Sequence, residues 1–262
     1  MSAPFARAVR SRVGAAVAVA LLFTACSSQD GAAPVFGPED LARGDLDIAF
    51  RTPTQTAVPG LNTIASGTSR RFVVYVPSNY TDDRTWPVAI LLHGSGDRGI
   101  TMVNALSRDA ETEGVILLAP DANRYTWDLI FGDVGPDAEF IEQVLGWAFD
   151  HVQVDPARLT LGGFSDGATY TAWLGMLNGD IFSQLLIMSG CARFPDDRTG
   201  TPRILMLHGN NDPVFGRDTC VPLLLPSLQA AGYDVRYIEF EGRHEISAEF
   251  SQRAMAFVAG NE

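Results

Sequence analysis

Two short runs of apolar residues limit what this chain can fold into. Residues 87–93 (PVAILLH) and 114–120 (GVILLAP) carry almost no polar side chain. Strands buried on both faces of a parallel sheet have this pattern, whereas a strand with one solvated face alternates apolar and polar residues. Further strands are predicted at residues 71–77, 159–164, 184–188, 203–208 and 234–240, and residues 46–50 are a candidate partner for the first of these. We therefore expect a mostly parallel central sheet.

Helical patterns fall between the predicted strands. Five apolar residues recur on one helical face, namely Phe140, Ile141, Val144, Leu145 and Ala148. Other helices are predicted at residues 166–177, 222–231 and 245–258. Strands that alternate with helices indicate the α/β class, in which helices cover both faces of an open sheet. The segment between residues 189 and 202 is short and leaves no room for a large cap domain.

The first 25 residues are expected to be a targeting segment rather than part of the fold. Three arginines precede an apolar run at residues 13–23, which is short beside the roughly 20 residues of a membrane span. Small residues and Cys26 follow, and this pattern resembles a bacterial lipoprotein signal whose cysteine receives the lipid. The alternative is an ordinary cleaved signal peptide and a chance cysteine. We expect export to the cell envelope with a lipid anchor at Cys26, or else secretion. A flexible tether at residues 26–40 would lead to one folded domain at 41–262.

The chain contains no lysine, because all 19 of its basic residues are arginines. This excludes Schiff-base lysines, a pyridoxal-phosphate anchor and the lysine of phosphate-binding loops. The net charge is -12, and loss of the signal would leave 16 arginines against 31 acidic residues, or -15. Nucleic-acid binding needs clustered positive charge, so no nucleic-acid partner is expected. Contact with a membrane is expected only through the lipid anchor.

Export would also determine whether the cysteines are oxidised to a disulfide. With Cys26 lipidated, Cys191 and Cys220 remain as an even pair in an oxidising compartment. A disulfide between them would stabilise the fold by roughly 3–4 kcal/mol. The alternative is a pair of independent buried thiols.

A serine motif stands where a predicted strand meets a predicted helix. Residues 163–167 (GFSDG) match the G-x-S-x-G nucleophile elbow in the strand–turn–helix context that the motif requires. Ser165 would project above the sheet, and the backbone N–H of Asp166 would point towards a developing oxyanion. Residues 93–97 (HGSGD) end another buried strand and offer a second oxyanion donor, the backbone N–H of Ser95. The alternative for this segment is a simple glycine turn, which His93 is expected to shape.

A serine nucleophile needs a base, and the base needs an acid that orients it. In elbow hydrolases the acid and then the histidine follow the serine along the chain. Asp212 lies in the loop after a predicted strand, and His244 is the only histidine that follows it. The alternative for His244 is a surface loop histidine. His208 precedes Asp212 and is expected to pack beneath the site. Three carboxylates remain as alternatives for the acid: Asp218, Glu239 and Glu241.

From about residue 70 to residue 244, the chain resembles serine esterases of the α/β-hydrolase superfamily. RRFVVYVPSNY followed by WPVAILLHGSGD is similar to the polyhydroxybutyrate depolymerase and feruloyl-esterase-like group. LLHGSGDRG, GGFSDGA and LMLHGNNDPV also resemble the phospholipase/carboxylesterase group. The resemblance implies the following roles: Ser165 as nucleophile, Asp212 as acid, His244 as base, and Ser95 and Asp166 at the oxyanion positions. Many such proteins carry an amide or a small residue in place of Asp166, so we expect its carboxylate to point away and bond elsewhere.

The expected reaction is hydrolysis of a small or polymeric carboxylic ester through an acyl-enzyme, with no metal or organic cofactor. The alternatives are a polyester depolymerase, a feruloyl esterase and, from another class, a catalytically silent hydrolase fold that acts as an envelope binding protein. Tyr125, Trp127 and Phe131 follow one of the buried strands and either line a substrate pocket or pack their loop onto the body. Phe215, close to Asp212, is a further pocket candidate.

Overall fold

The structure, a computed structural model, describes residues 44–66, 70–132, 135–192 and 195–262. The predicted signal peptide, Cys26 and the tether at 26–40 lie outside the described residues. Eight strands form one sheet: β1 (Gly60–Ala65), β2 (Arg71–Val76), β3 (Trp86–Leu92), β4 (Ile116–Pro120), β5 (Val154–Phe164), β6 (Gln184–Met188), β7 (Arg203–Gly209) and β8 (Val235–Phe240). They lie in the order β1-β2-β4-β3-β5-β6-β7-β8. The pairs β1–β2 and β2–β4 are antiparallel, and all the other pairs are parallel.

Helices cover both faces of the sheet, as the sequence predicts. They are α1 (Gly99–Glu113), α2 (Pro136–His151), α3 (Asp166–Leu177), α4 (Arg217–Ala230) and α5 (Ala248–Ala259), with a short 3-10 helix at Asp128–Phe131. α1 and α5 share one hydrophobic core, while α2, α3 and α4 share the core on the opposite face. β3, β4 and β6 are buried along their whole length, which explains their continuous apolar sequences. Among the described residues, no helix is both long and apolar enough to cross a membrane.

The prediction that residues 46–50 pair with β2 is wrong, since β1 occupies that place. β1 is an edge strand with every second residue exposed, so its sequence lacks an apolar run. Residues 46–50 instead run along the helices of one face. The amide of Leu46 donates to Oδ1 of Asn178 at 2.9 Å, and the ring of Phe50 contacts that of Phe149 at 4.7 Å between centroids.

α1 is absent from the helices predicted above. Its buried apolar side chains form a narrow stripe made of Met102, Val103, Leu106 and Ala110. Ile100 and Ala105 flank the stripe and pack against the same core, and Met102, Leu106 and Ala110 recur at helical spacing, so the sequence does carry a signal for this helix. Between β6 and β7, in contrast, the described residues contain no helix, in agreement with the expected absence of a large cap domain.

A disulfide joins Cys191, just after β6, to Cys220 in α4. The two cysteines are 29 residues apart, and the predicted acid Asp212 lies between them. Of the two alternatives for this pair, the structure therefore contains the bridge rather than two thiols.

The parallel strands bring distant loops to one edge of the sheet. Because β3, β5, β7 and β8 run in the same direction, the loops that follow them meet where the strands end. These loops carry Ser95, Ser165, Asp212 and His244. The fold thus gathers residues from four separate stretches of sequence at a single place.

Candidate active site

Ser165 occupies a strained turn between β5 and α3. Its backbone has φ 57° and ψ -120°, a left-handed conformation that non-glycine residues rarely adopt. The neighbouring glycines make this turn possible. A Cβ atom at Gly163 would lie 2.2 Å from the carbonyl oxygen of Gly167, and one at Gly167 would lie 2.2 Å from that of Leu92. Any larger residue would therefore push the elbow away from the sheet.

Three predicted residues form a continuous hydrogen-bonded relay. Oγ of Ser165 lies 2.8 Å from Nε2 of His244, and Nδ1 of His244 lies 2.7 Å from Oδ2 of Asp212. The carboxylate can only accept, so Nδ1 carries the proton and Nε2 is free to accept the serine proton. This is the arrangement that nucleophilic catalysis by serine requires.

Asp212 is held as an ionised carboxylate. Its Oδ1 accepts hydrogen bonds from the amides of Val214 and Phe215 at 2.8 and 2.9 Å. Burial opposes ionisation, but the hydrogen bonds from His244 and from these two amides outweigh it and lower the pKa of Asp212. The carboxylate is therefore charged at neutral pH and can orient the imidazole.

The alternative acids point to other partners. Asp218 and Glu239 both pair with Arg217, at 3.1 and 3.4 Å. Glu241 accepts from the side-chain amide of Asn210 at 2.7 Å. Within the described part of the chain, none of these three carboxylates forms a hydrogen bond or ion pair with the histidine of the relay.

The two predicted oxyanion donors are the backbone amides of Ser95 and Asp166. In the described segments, neither amide donates a hydrogen bond to another protein group. The tight approach of Gly167 to the end of β3 places the two loops side by side. The carboxylate of Asp166 accepts from Oγ1 of Thr126 at 2.8 Å, so its charge is engaged by another loop, as expected. Thr126 is not predicted as a partner of Asp166, because nothing in the sequence around it identifies this contact.

His93 shapes the loop that carries Ser95. The amide of Ala122 donates to Nε2 of His93 at 3.0 Å, so Nδ1 carries the proton and donates to the carbonyl of Gly94 at 2.7 Å. Burial lowers the pKa of His93, and the neutral ring that these contacts require is thereby favoured. The structural role expected for His93 agrees with these contacts.

The aromatic pocket candidates separate into different environments. Tyr125 is 62% exposed, and its ring meets that of the half-buried Phe131 edge-on at 5.3 Å. Phe215 is half-buried and lies edge-on to His244 at 5.6 Å. Trp127, in contrast, is fully buried, and its Nε1 donates to the carbonyl of His93 at 2.8 Å. Placing Trp127 in a substrate pocket is therefore wrong, and the alternative of loop packing is correct.

A cavity of about 400 Å³ opens beside the loop of Ser95. Its lining is mostly polar and includes His93, Asp97, Arg98, Asp121, Asn123 and Tyr125. In the described ranges, no group of three or more His, Cys, Asp or Glu side chains is arranged to hold a metal ion.

Two buried carboxylates, also missed from the sequence, tie the loop of Tyr125 to the start of α2. Asp137 pairs with Arg70 and accepts from the amides of Asn123 and Asp128, at 2.9 and 2.8 Å. Asp128 in turn accepts from the amides of Gly135 and Asp137, at 3.1 and 2.8 Å. Burial and the nearby charge of Asp137 raise the pKa of Asp128 to about 6.

Replacing Asp128 by asparagine is expected to stabilise the protein at pH 7.5. The carboxyl has an ordinary pKa of 3.8 when unfolded and about 6 when folded, so the folded state holds its proton more tightly. Stability is therefore lost as pH rises from about 4 to 6. The side-chain oxygen of the introduced asparagine can still accept from the two backbone amides without carrying a charge. We expect a gain of up to about 3 kcal/mol in unfolding free energy at pH 7.5, and a smaller gain at pH 4.5, measured by urea denaturation. A gain that is equal at both pH values would contradict this assignment.

Comparisons with known proteins agree with this architecture. No protein-family model matches the chain. A curated relative from Nocardia uniformis subsp. tsuyamanensis, whose name assigns it provisionally to the esterases, is 23% identical over 224 residues. The alignment covers 79% of this chain, and the chain spans 65% of the length of that relative.

Solved structures with the same architecture include several hydrolases. S-formylglutathione hydrolase from Staphylococcus aureus is 14% identical with a TM-score of 0.63, and the match covers 78% of this chain and 100% of that one. A ferulic acid esterase from Anaeromyces mucronatus is 18% identical with a TM-score of 0.59, covering 83% and 100% of the two chains. The chain therefore has the α/β-hydrolase fold, as the sequence predicts.

Proposed function

We propose that this protein is a serine hydrolase of carboxylic esters. The observation that carries the proposal is the relay from Ser165 through His244 to Asp212, with contacts of 2.8 and 2.7 Å. The provisional esterase name of the Nocardia relative supports the same conclusion. The strained elbow adds further support, because such strain persists where the surrounding structure enforces a functional geometry.

In the proposed reaction, Oγ of Ser165 attacks the ester carbonyl while Nε2 of His244 takes its proton. The charge of Asp212 stabilises the imidazolium that forms, and the amides of Ser95 and Asp166 donate to the oxyanion of the tetrahedral intermediate. His244 then gives its proton to the leaving alcohol, and an acyl-enzyme remains on Ser165. Water enters, loses a proton to His244 and attacks the acyl group, which releases the acid and restores the serine.

A substrate bound against the loop of Ser95 would be accessible and partly polar. The cavity beside Ser95 has a mostly polar lining, and the exposed ring of Tyr125 stands at its edge. An exposed aromatic ring beside an open cleft also suits a polymer chain. A depolymerase of polyesters or a feruloyl esterase is therefore the second candidate function.

The location proposed for this enzyme is the cell envelope. Residues 1–25 would direct export, and lipid on Cys26 would anchor the protein, as the sequence predicts. The bridge between Cys191 and Cys220 supports export, because disulfides persist in oxidising compartments. Release as a secreted protein is the alternative if Cys26 is not lipidated.

One substrate panel tests the proposal and separates the two candidates. Purified protein would be assayed on p-nitrophenyl esters of increasing chain length, methyl ferulate and a polyester film. We expect turnover of short p-nitrophenyl esters, and preferential release from methyl ferulate or the film would favour the second candidate. Labelling by a fluorophosphonate, abolished by heat, distinguishes an enzyme from a silent binding fold. A folded protein that neither labels nor hydrolyses any ester would reject the proposed function.

A further inference from the structure

A second histidine lies beneath the proposed acid. His208 is the penultimate residue of β7, and its side chain is 2% exposed. Its Nε2 lies 2.7 Å from the carbonyl oxygen of Phe215 and 3.5 Å from Oδ2 of Asp212. A carbonyl oxygen only accepts, so Nε2 carries the proton and donates to Phe215. His208 therefore reaches both ends of the turn that carries the acid.

The turn from Asp212 to Phe215 governs two features of the relay. The amides of Val214 and Phe215 hold Oδ1 of Asp212, which leaves Oδ2 to face His244. The ring of Phe215 lies edge-on to the imidazole of His244. A shift of the Phe215 backbone would thus move both the carboxylate of Asp212 and the aromatic ring that packs against His244.

The charge of His208 bears directly on the acid. Burial is the main cause that lowers the pKa of His208. The protonated form of His208 is favoured by the Phe215 carbonyl, by Asp212 and by Glu239, the residue of β8 that pairs with His208. The positive charge of His244 opposes it. The neutral ring therefore prevails at neutral pH. A second proton would place a cation 3.5 Å from Oδ2 of Asp212, where it would compete with His244 for the carboxylate.

We propose that His208 is a positioning residue for the catalytic acid. Its neutral ring fixes the turn so that Oδ2 of Asp212 faces His244, and its doubly protonated ring draws that oxygen away. The inference rests on the proposed triad of Ser165, Asp212 and His244, and it adds a side chain that acts without touching the substrate. A histidine that only filled space would affect stability and leave the pH dependence of catalysis unchanged.

Two variants separate positioning from packing. His208→Gln keeps an N–H donor near the place of Nε2 but cannot become charged, whereas His208→Met fills the space without a donor. We expect His208→Met to lower kcat by roughly 10- to 100-fold, by analogy with the loss when the hydrogen-bond partners of metal-ligating residues are removed, with little change in KM. His208→Gln should restore most of kcat. At low pH, kcat/KM of the wild type should fall with two protonations, of His244 and of His208. That of His208→Gln should fall with the protonation of His244 alone.

Rates would be expressed per site labelled by a fluorophosphonate, so that unfolded protein does not count. His151→Gln is the matched control, because His151 contacts the carbonyl of Trp147 at the end of α2, and it should keep the wild-type profile. Wild-type kcat in His208→Met, or equal losses in both variants, would overturn the proposal. If His208→Met does not fold, the fall of kcat/KM at low pH in His208→Gln decides alone. A fall identical to that of the wild type would reject the positioning role of His208. Turnover by Ser165→Ala would instead reject the triad itself.

Discussion

Replacing Ser165 by alanine is expected to lower kcat on p-nitrophenyl butyrate by about 10⁴-fold or more, because members of a triad act as a unit. The change removes the Oγ atom that lies 2.8 Å from the base and leaves the rest of the relay intact. Alanine also lacks the nucleophile that a fluorophosphonate would label. Steady-state kinetics and probe labelling of the purified variant measure both effects.

The control for this experiment is Ser227→Ala. Ser227 lies in α4, and its Oγ contacts only the carbonyl of Leu223 among the described hydrogen bonds. It should keep wild-type turnover. If Ser165→Ala, folded as judged by circular dichroism, turned over substrate at the wild-type rate, the nucleophile would have to be another residue.

Asp212→Asn is expected to lower kcat by about 10⁴-fold, as for other triads in which an amide replaces the acid. The amide oxygen can still accept from Val214 and Phe215, so the turn should survive. Its nitrogen would donate towards Nδ1 of His244 and favour the imidazole tautomer that protonates Nε2. Nε2 could then no longer accept the proton of Ser165. Pre-steady-state release of p-nitrophenol would show whether acylation is the step that slows.

Three alternative acids provide matched comparisons: Asp218→Asn, Glu239→Gln and Glu241→Gln. Each removes one negative charge near the same loops, yet these carboxylates bind arginine or asparagine side chains rather than the base. Their rates should stay within a few-fold of the wild type, as for exposed charges. A loss in any of them larger than that of Asp212→Asn would reassign the acid.

The sequence predicted those parts of the molecule that depend on local patterns. The elbow around Ser165 has a short motif, and its strand and helix have clear apolar repeats. The parallel sheet then requires the loops after its strands to meet, which is why Asp212 and His244 could be placed near Ser165 from their order alone. Choosing Asp212 over its alternatives, however, requires distances that only the folded chain provides.

The features that the sequence did not predict arise from contacts between distant segments. β1 is recognisable only through its pairing with β2, because its exposed edge gives it no apolar run. Trp127 is an aromatic residue in a loop after a buried strand, which is a common place for a pocket residue. In the folded chain, however, it is buried and donates a hydrogen bond to the carbonyl of His93. In the sequence, Asp128 and Asp137 look like ordinary solvent-exposed polar residues. Only the folded chain shows that both carboxylates are buried.

The wide separation of the relay along the chain has a consequence for biosynthesis. Ser165 and His244 are 79 residues apart, and the histidine follows the last strand of the sheet. A nascent chain that lacks its final segment has a serine without a base. Hydrolysis by this relay would therefore require that β8 has joined the sheet and that the loop after it, which carries His244, has folded. The order of these residues along the chain would thus leave Ser165 without its base until the last strand of the sheet has folded.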